Sequence, residues 1–188
     1  SRYFASTVEG LDQGTDHNPL LPQLTEFQVE AYQYAKGILR RYGGVFLADV
    51  VGLGKTFIAL ALIKHLQDRY GEFAVVVAPP GVIPAWESLA TEFRVELQMV
   101  SIGKLSDLDH HRDREVLVID ESHNFRNLGT RRYERIQQWL RPENSAAHRK
   151  VMLLSATPQN NRPEDVKHQL AFFPDTFSKL PYRGESLD

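Results

Sequence analysis

The sequence predicts an α/β fold, a parallel β-sheet with helices on both faces. Three observations carry this. Short apolar runs alternate with segments of helical periodicity along most of the chain, the order expected of parallel strands joined by right-handed helical crossovers. One run, Val116-Leu117-Val118-Ile119, is apolar without alternation, as a strand covered on both faces requires. A glycine-containing loop, Gly52-Leu53-Gly54, lies between an apolar strand and an apolar helix, at the kind of strand end where open α/β sheets hold their ligands. The 188 residues suffice for one domain with a full core.

Residues 1–24 are polar and turn-rich, with His17-Asn18-Pro19 and Pro22, and read as an N-terminal arm or lead-in. The lobe proper is expected over residues 25–188. Thr25 suits a helix N-cap, because Val29, Tyr32, Ala35, Ile38 and Leu39 follow at helical spacing, and Gly43-Gly44 ends that helix. Val45 to Ala48 is a short buried strand. The helix expected from Lys55 to Tyr70 is apolar nearly all round, through Phe57, Ile58, Leu60, Leu62, Ile63 and Leu66, and should be sandwiched inside the domain. Phe73 to Ala78 is a second strand, stopped by Pro79-Pro80, and a helix from Val82 to Phe93 follows.

Leu97 to Ile102 is expected as a third strand. The charged stretch Gly103 to Glu115, with Asp107, Asp109, His110, His111, Arg112, Asp113 and Arg114, reads as a solvated loop. Val116 to Ile119 is the fourth strand, Thr130 to Leu140 a helix, Val151 to Leu154 the fifth strand, and Pro163 to Phe173 a last helix. Three of these strands run into polar residues of chemical interest: Asp49, Asp120 and Ser155.

Composition excludes several classes of function. With no cysteine, disulfides and thiolate metal sites are absent, which fits a reducing, cytoplasmic setting. The seven histidines are scattered, with only His110-His111 adjacent, which argues against a structural metal. No run approaches the roughly 18 apolar residues of a membrane span, so no membrane partner is expected. A net charge of -2 leaves no whole-surface attraction to nucleic acid, so phosphate binding must be local. The chain begins Ser1-Arg2-Tyr3-Phe4, without a starting Met or a basic-then-apolar signal, and is expected to be a piece of a longer protein.

The segment Asp49-Val50-Val51-Gly52-Leu53-Gly54-Lys55-Thr56 has the context of a phosphate-binding loop, strand before and helix after. Glycines let the backbone wrap an anion closely, and the N–H groups at the helix start point at it. Lys55 would neutralise the β- and γ-phosphates of ATP, and the Thr56 hydroxyl would ligate Mg²⁺. The strict pattern wants Gly where Asp49 stands. A tight strand-to-helix turn with an incidental Lys-Thr pair is the plainer reading. Asp120-Glu121, 65 residues after Lys55, puts two carboxylates at the tip of a buried strand. Asp120 suits a Mg²⁺ anchor and Glu121 a group that orients or deprotonates water. Strand neighbours point to opposite faces, so the chain must turn at once, which is expected at Ser122.

In combination these residues resemble the superfamily 2 helicases, and within them the Swi/Snf-like translocases. Asp49 to Thr56 looks like the family's motif I, where Asp is usual at that place; Val50 departs from the common Glu. Leu24-Thr25-Glu26-Phe27-Gln28 resembles the adenine-recognising Q motif, 26 residues before Gly54. Val76 to Pro80, through Trp86, resembles motif Ia, which touches the nucleic-acid backbone; for the Trp86 ring itself, core packing is an equal alternative. Asp120 to His123 is the acidic box in a Ser-containing version, followed by Asn124-Phe125-Arg126-Asn127. Leu154-Ser155-Ala156-Thr157-Pro158, extended by Asn160 and Asn161, resembles motif III, which couples the ATP and nucleic-acid sites. The resemblance covers residues 22 to 175.

It implies a RecA-like P-loop NTPase lobe, the first of two, from an ATP-dependent duplex-DNA translocase of bacterial type. Cofactor contacts fall to Gln28, Gly52, Leu53, Gly54, Lys55 and Thr56, with Mg²⁺ on Thr56 and Asp120. Catalysis falls to Lys55, Asp120 and Glu121, and coupling to Ser155, Ala156 and Thr157. The second RecA-like lobe, which supplies arginine fingers, is not readable in the 33 residues after Ser155, so slow turnover is expected of this chain alone. Nucleic-acid contacts are implied at Pro80, Gly81, Lys104, Arg126 and Arg131. Arg131, Arg132 and Arg135 either share a face with phosphate reach or form a solvated helix balanced by Glu134. Two other functions remain open: an RNA or strand-separating helicase lobe, and a non-hydrolysing, nucleotide-gated interaction module.

Overall fold

The computed structural model describes residues 17–48, 54–125, 130–141, 149–155 and 169–174. Thr25 starts helix α1 (Glu26–Tyr42) through a reciprocal cap. Its hydroxyl accepts from the Gln28 N–H at 3.4 Å, and the Gln28 side-chain oxygen accepts from the Thr25 N–H at 2.9 Å, which satisfies two orphan donors of the first turn. Gly43 closes α1 in the left-handed conformation, φ 68°. Gly44, expected to share in that stop, is already the first residue of a strand.

The elements then follow the expected alternation: β1 (Gly44–Ala48), α2 (Lys55–Tyr70), β2 (Ala74–Ala78), α3 (Ile83–Glu92), β3 (Leu97–Ser101), β4 (Val116–Ile119), α4 (Arg131–Leu140) and β5 (Lys150–Ser155). All five strands are parallel, in the spatial order β1-β5-β4-β2-β3. Strand alternation divides the core in two. Ala74, Val76 and Ala78 of β2, Val116 and Val118 of β4, and Met152 and Leu154 of β5 pack with α1, α2 and α3. Val75 and Val77, Leu117 and Ile119, and Val151 and Leu153 pack with α4 on the other face. Helix α2 is sandwiched as expected, with Ile58 to Ile63 and Leu66 buried.

Two expectations need correction. The stretch Gly103 to Glu115 is not a solvated loop: Leu105–His111 form a 3-10 helix with Leu105 and Leu108 buried. The two leucines stand three residues apart, the period of a 3-10 turn, so they make one apolar stripe among charges. Trp139 of α4 donates its indole N–H to the Leu108 carbonyl at 2.9 Å, and Arg135 pairs with Asp109. The lead-in is also less of an arm than expected. Leu20 is buried in the core, and the Asn18 amide donates to the Ala61 carbonyl of α2 at 2.7 Å.

Of the last expected helix, residues 163–168 lie outside the described residues. Gln169 and Leu170 are helical, and Phe172 is buried between Phe125 and Tyr133, with ring centroids 6.4 and 4.6 Å away. Arg149, just before β5, donates to the carbonyls of Arg112, Arg114 and Trp139 and lies over the Trp139 ring at 4.1 Å. Burial, together with the neighbouring Arg112, lowers its pKa from the ordinary value.

Candidate active site

The carboxyl ends of β1, β5 and β4 lie side by side, because these strands are consecutive in the sheet. Ala48 pairs with Ser155, and Leu153 with Ile119. Asp120, the residue after β4, is therefore delivered to one edge with Ala48 and Ser155, the last residues of β1 and β5. Residues 49–53, with the expected contacts at Gly52 and Leu53, lie outside the described residues. The chain resumes at Gly54, whose φ of 78° is left-handed, and enters α2 at Lys55 and Thr56, both half-buried. Among the described residues no side chain caps this helix start, and its first turn holds no carboxylate. Its orphan N–H groups and the Lys55 ammonium thus make a local positive end in a chain of net negative charge.

Gln28 joins the edge from α1. A β-carbon on Gly54 would stand 2.2 Å from the Gln28 side-chain nitrogen, so the amide lies directly against the glycine. One lone pair of the Gln28 oxygen is taken by the Thr25 N–H.

Asp120 continues the alternation of Val116 and Val118, and so belongs to the face of the sheet covered by α2 and α3. One carboxylate oxygen accepts from the Trp86 indole N–H at 2.9 Å, and the other from the Glu121 backbone N–H at 2.9 Å. Glu121 itself has φ 53°. The turn expected at Ser122 therefore falls one residue earlier, on Glu121. The left-handed backbone ends the strand's alternation there, at a cost of about 1–2 kcal/mol for a residue with a β-carbon. The Asn124 backbone and side-chain N–H groups hold it by donating to the Glu121 carbonyl at 3.0 and 2.9 Å. Strain retained in this way is characteristic of working sites. His123 Nδ1 stands 3.1 Å from Glu121 Oε2.

This donor set fits Mg²⁺ held together with a phosphate chain. Among the described residues no three His, Cys, Asp or Glu gather as a self-sufficient cage. Mg²⁺ in phosphate sites takes one or two protein oxygens, with substrate and water supplying the rest. Both hydrogen bonds to Asp120 come from neutral donors, so its negative charge is uncompensated by them.

Ser155 is fully buried, and its hydroxyl has no hydrogen-bond partner among the described residues. Ala156 and Thr157 lie outside the described residues, as does Arg126. Ser122 of the acidic segment donates to the Gln169 side-chain oxygen at 2.7 Å, and both residues are fully buried. Pro80 and Gly81 are exposed beyond the end of β2, and Lys104 is exposed beyond the end of β3, the paired edge strand. Arg131 and Arg132 are exposed at the start of α4, whereas Arg135 is engaged by Asp109. The three arginines thus do not form one open phosphate-binding face.

Trp86 is 1 % exposed, which resolves its two readings in favour of core packing. Its bond to Asp120, across 34 residues, has no local signal in the sequence. A cavity of about 380 Å³ lies elsewhere, between α1 and α2 at the amino edge of the sheet, lined by Lys36, Arg40, His65, Arg69 and Lys150. It shares no residue with the edge just described.

Comparison with known proteins gives a consistent picture. No protein-family profile matches the chain. It is 27 % identical over 192 residues to the SWI/SNF-related matrix-associated actin-dependent regulator of chromatin subfamily A-like protein 1 of Xenopus laevis, covering 90 % of this chain and 19 % of that protein. It is 25 % identical over 167 residues to the uncharacterized ATP-dependent helicase YqhH of Bacillus subtilis, covering 78 % of this chain and 29 % of that one. Among solved structures, the SWI2/SNF2 ATPase core of Sulfolobus solfataricus in complex with dsDNA superimposes with a TM-score of 0.67 at 19 % identity, over 81 % of this chain and 36 % of that one. The Hef helicase domain of Pyrococcus furiosus gives 0.59 at 20 % identity, over 81 % and 37 %. These likenesses establish the RecA-like fold. The chain spans less than a third of either curated relative.

Proposed function

We propose, from the premise that this chain is a Swi/Snf-like helicase lobe of superfamily 2, that it binds ATP with Mg²⁺ as the first lobe of a duplex-DNA-dependent ATPase and translocase. The observation that carries the reading is the meeting of three strand ends. Ala48 ends β1 beside Ser155 of β5, Asp120 follows the neighbouring β4 on the face of the sheet that α2 covers, and α2 opens with Lys55 and Thr56.

In this reading Lys55 and the N–H groups of the α2 start hold the phosphates. Gln28, which lies against Gly54, reads the base. Thr56 and Asp120 hold Mg²⁺, which when bound neutralises charge developing on the phosphates. Glu121, turned out of the strand by its left-handed backbone, orients the attacking water or accepts its proton, with His123 beside it. Ser155, with Ala156 and Thr157, couples this edge to nucleic acid. Pro80, Gly81, Lys104, Arg126 and Arg131 contact the DNA backbone and so read little sequence.

The domain division keeps residues 25–188 as the lobe, against which Asn18 and Leu20 of the lead-in pack. A second RecA-like lobe in the parent completes the site. A parent of bacterial type is supported by the run Asp120 to Asn127 and by the Bacillus relative. The test is ATP hydrolysis by the parent, with and without Glu121→Gln. Stimulation by duplex DNA that Glu121→Gln abolishes is the expected result. Stimulation by RNA alone would favour the RNA helicase reading. No hydrolysis with intact ATP binding would favour the nucleotide-gated module.

A further inference from the structure

We propose that Trp86 is a positioning residue that sets the carboxylate of Asp120 for Mg²⁺. The proposal rests on the reading of Asp120 as the metal anchor.

Asp120 would otherwise be a poorly held ligand. It follows the last residue of β4, and the chain leaves the strand at the next residue. A carboxylate in that position turns freely about its side-chain bonds unless both oxygens are held. One is held by the Glu121 N–H, which belongs to the same turn and moves with it. The other is held from a separate element. Trp86 lies in the first turn of α3, and its indole N–H meets Asp120 Oδ2 at 2.9 Å. Among the described residues, only this second bond refers the carboxylate to the packed body of the domain.

The chemistry of the donor suits the task. An indole has one N–H and no acceptor, so it bonds an ionised carboxylate without competing for the metal. It is neutral, so it leaves the charge of Asp120 available, whereas a Lys or Arg in its place would cancel it. A hydrogen bond to an ionised acceptor is also stronger than one to a carbonyl. The contrast lies within the same molecule: the other tryptophan, Trp139, is equally buried and gives its N–H to a backbone carbonyl. Packing alone would be met by a phenyl ring. The nitrogen is what the carboxylate requires.

The test uses Mg²⁺ and ATP with this chain. Its two tryptophans give two indole N–H signals in an ¹⁵N–¹H spectrum, assigned with either single Trp→Phe variant. Mg²⁺ added to the ATP-loaded chain should shift the Trp86 signal and leave that of Trp139 in place. Trp86→Phe should raise the Mg²⁺ concentration that gives half of the Mg²⁺-dependent gain in ATP affinity by about 10-fold, the effect of losing an outer partner of a metal ligand. Its affinity for ATP without Mg²⁺ should not change, which a general loss of structure would not allow. A Trp86 signal indifferent to Mg²⁺ overturns the proposal even if Trp86→Phe does not fold, because Trp139→Phe is enough to assign it. So does an unchanged Mg²⁺ requirement in a folded Trp86→Phe chain. Failure of the unaltered chain to bind ATP would instead remove the reading on which the proposal stands.

Discussion

The side-chain amide of Gln28 lies against the α-carbon of Gly54, so close that a β-carbon on the glycine would stand 2.2 Å from the amide nitrogen. The start of α1 and the start of α2 are therefore built as one unit. The Gln28 oxygen caps its own helix through Thr25, and its nitrogen abuts the residue that begins the other.

Gly54→Ala should accordingly be damaging twice over. The left-handed φ of 78° disfavours a β-carbon by about 1–2 kcal/mol, and the amide of Gln28 must move. Urea unfolding should show a loss of that size or somewhat more, and nucleotide affinity should fall with it. Gln28→Ala should relieve the clash but not the backbone strain, so the double variant should recover only part of the stability.

Ser122→Ala should cost about 1–3 kcal/mol, because it leaves the buried Gln169 oxygen without this donor. Replacing both partners, with Gln169→Leu added, should be less harmful than Ser122→Ala alone. Thermal unfolding of the two variants gives the comparison. Equal losses would show that the pair contributes nothing beyond packing.

Burial raises the phenol of Tyr133 above its ordinary pKa, outweighing the lowering effects of Arg141 and Gln137. The sign follows from linkage: the folded state disfavours the phenolate, so its contribution is complete below the ordinary phenol value near 10 and is lost as pH rises through the folded value. Stability should therefore fall at strongly alkaline pH. In Tyr133→Phe that part of the fall should be absent, as measured by denaturant midpoints across the alkaline range.

Duplex binding by the parent should weaken steeply with salt, because phosphate contacts release counterions. Lys104→Ala should lower affinity similarly for unrelated sequences and reduce the salt slope by about one unit. A loss confined to one sequence would contradict backbone contact at Lys104.

What was legible in the sequence was whatever depends on near neighbours. Thr25, with Val29, Tyr32, Ala35, Ile38 and Leu39 following at helical spacing, signalled the start of α1. The unbroken apolar run at 116–119 signalled a strand covered on both faces, and β4 is buried throughout. Gly54-Lys55-Thr56 and Asp120-Glu121 stood where strand and helix signals change. The 3-10 helix Leu105–His111 was missed because its charge density masked a stripe of only two leucines. The turn at Glu121 was placed one residue late, since a left-handed Glu has no propensity signal. The bonds of Trp86 to Asp120 and Ser122 to Gln169 were illegible for a different reason. Each joins residues far apart in the chain, and only the strand order brings them together.

Calorimetric titration of ATP with Mg²⁺ into this chain, beside the Lys55→Ala variant, tests the central claim most directly. The account predicts saturable one-site binding that is weak in the absence of a second lobe, and about 10-fold or more weaker without the Lys55 ammonium, the size of a lost charge-assisted hydrogen bond. Hydrolysis during the titration should be slow. Equal affinity in the two chains, or no binding to a folded unaltered chain, would contradict it.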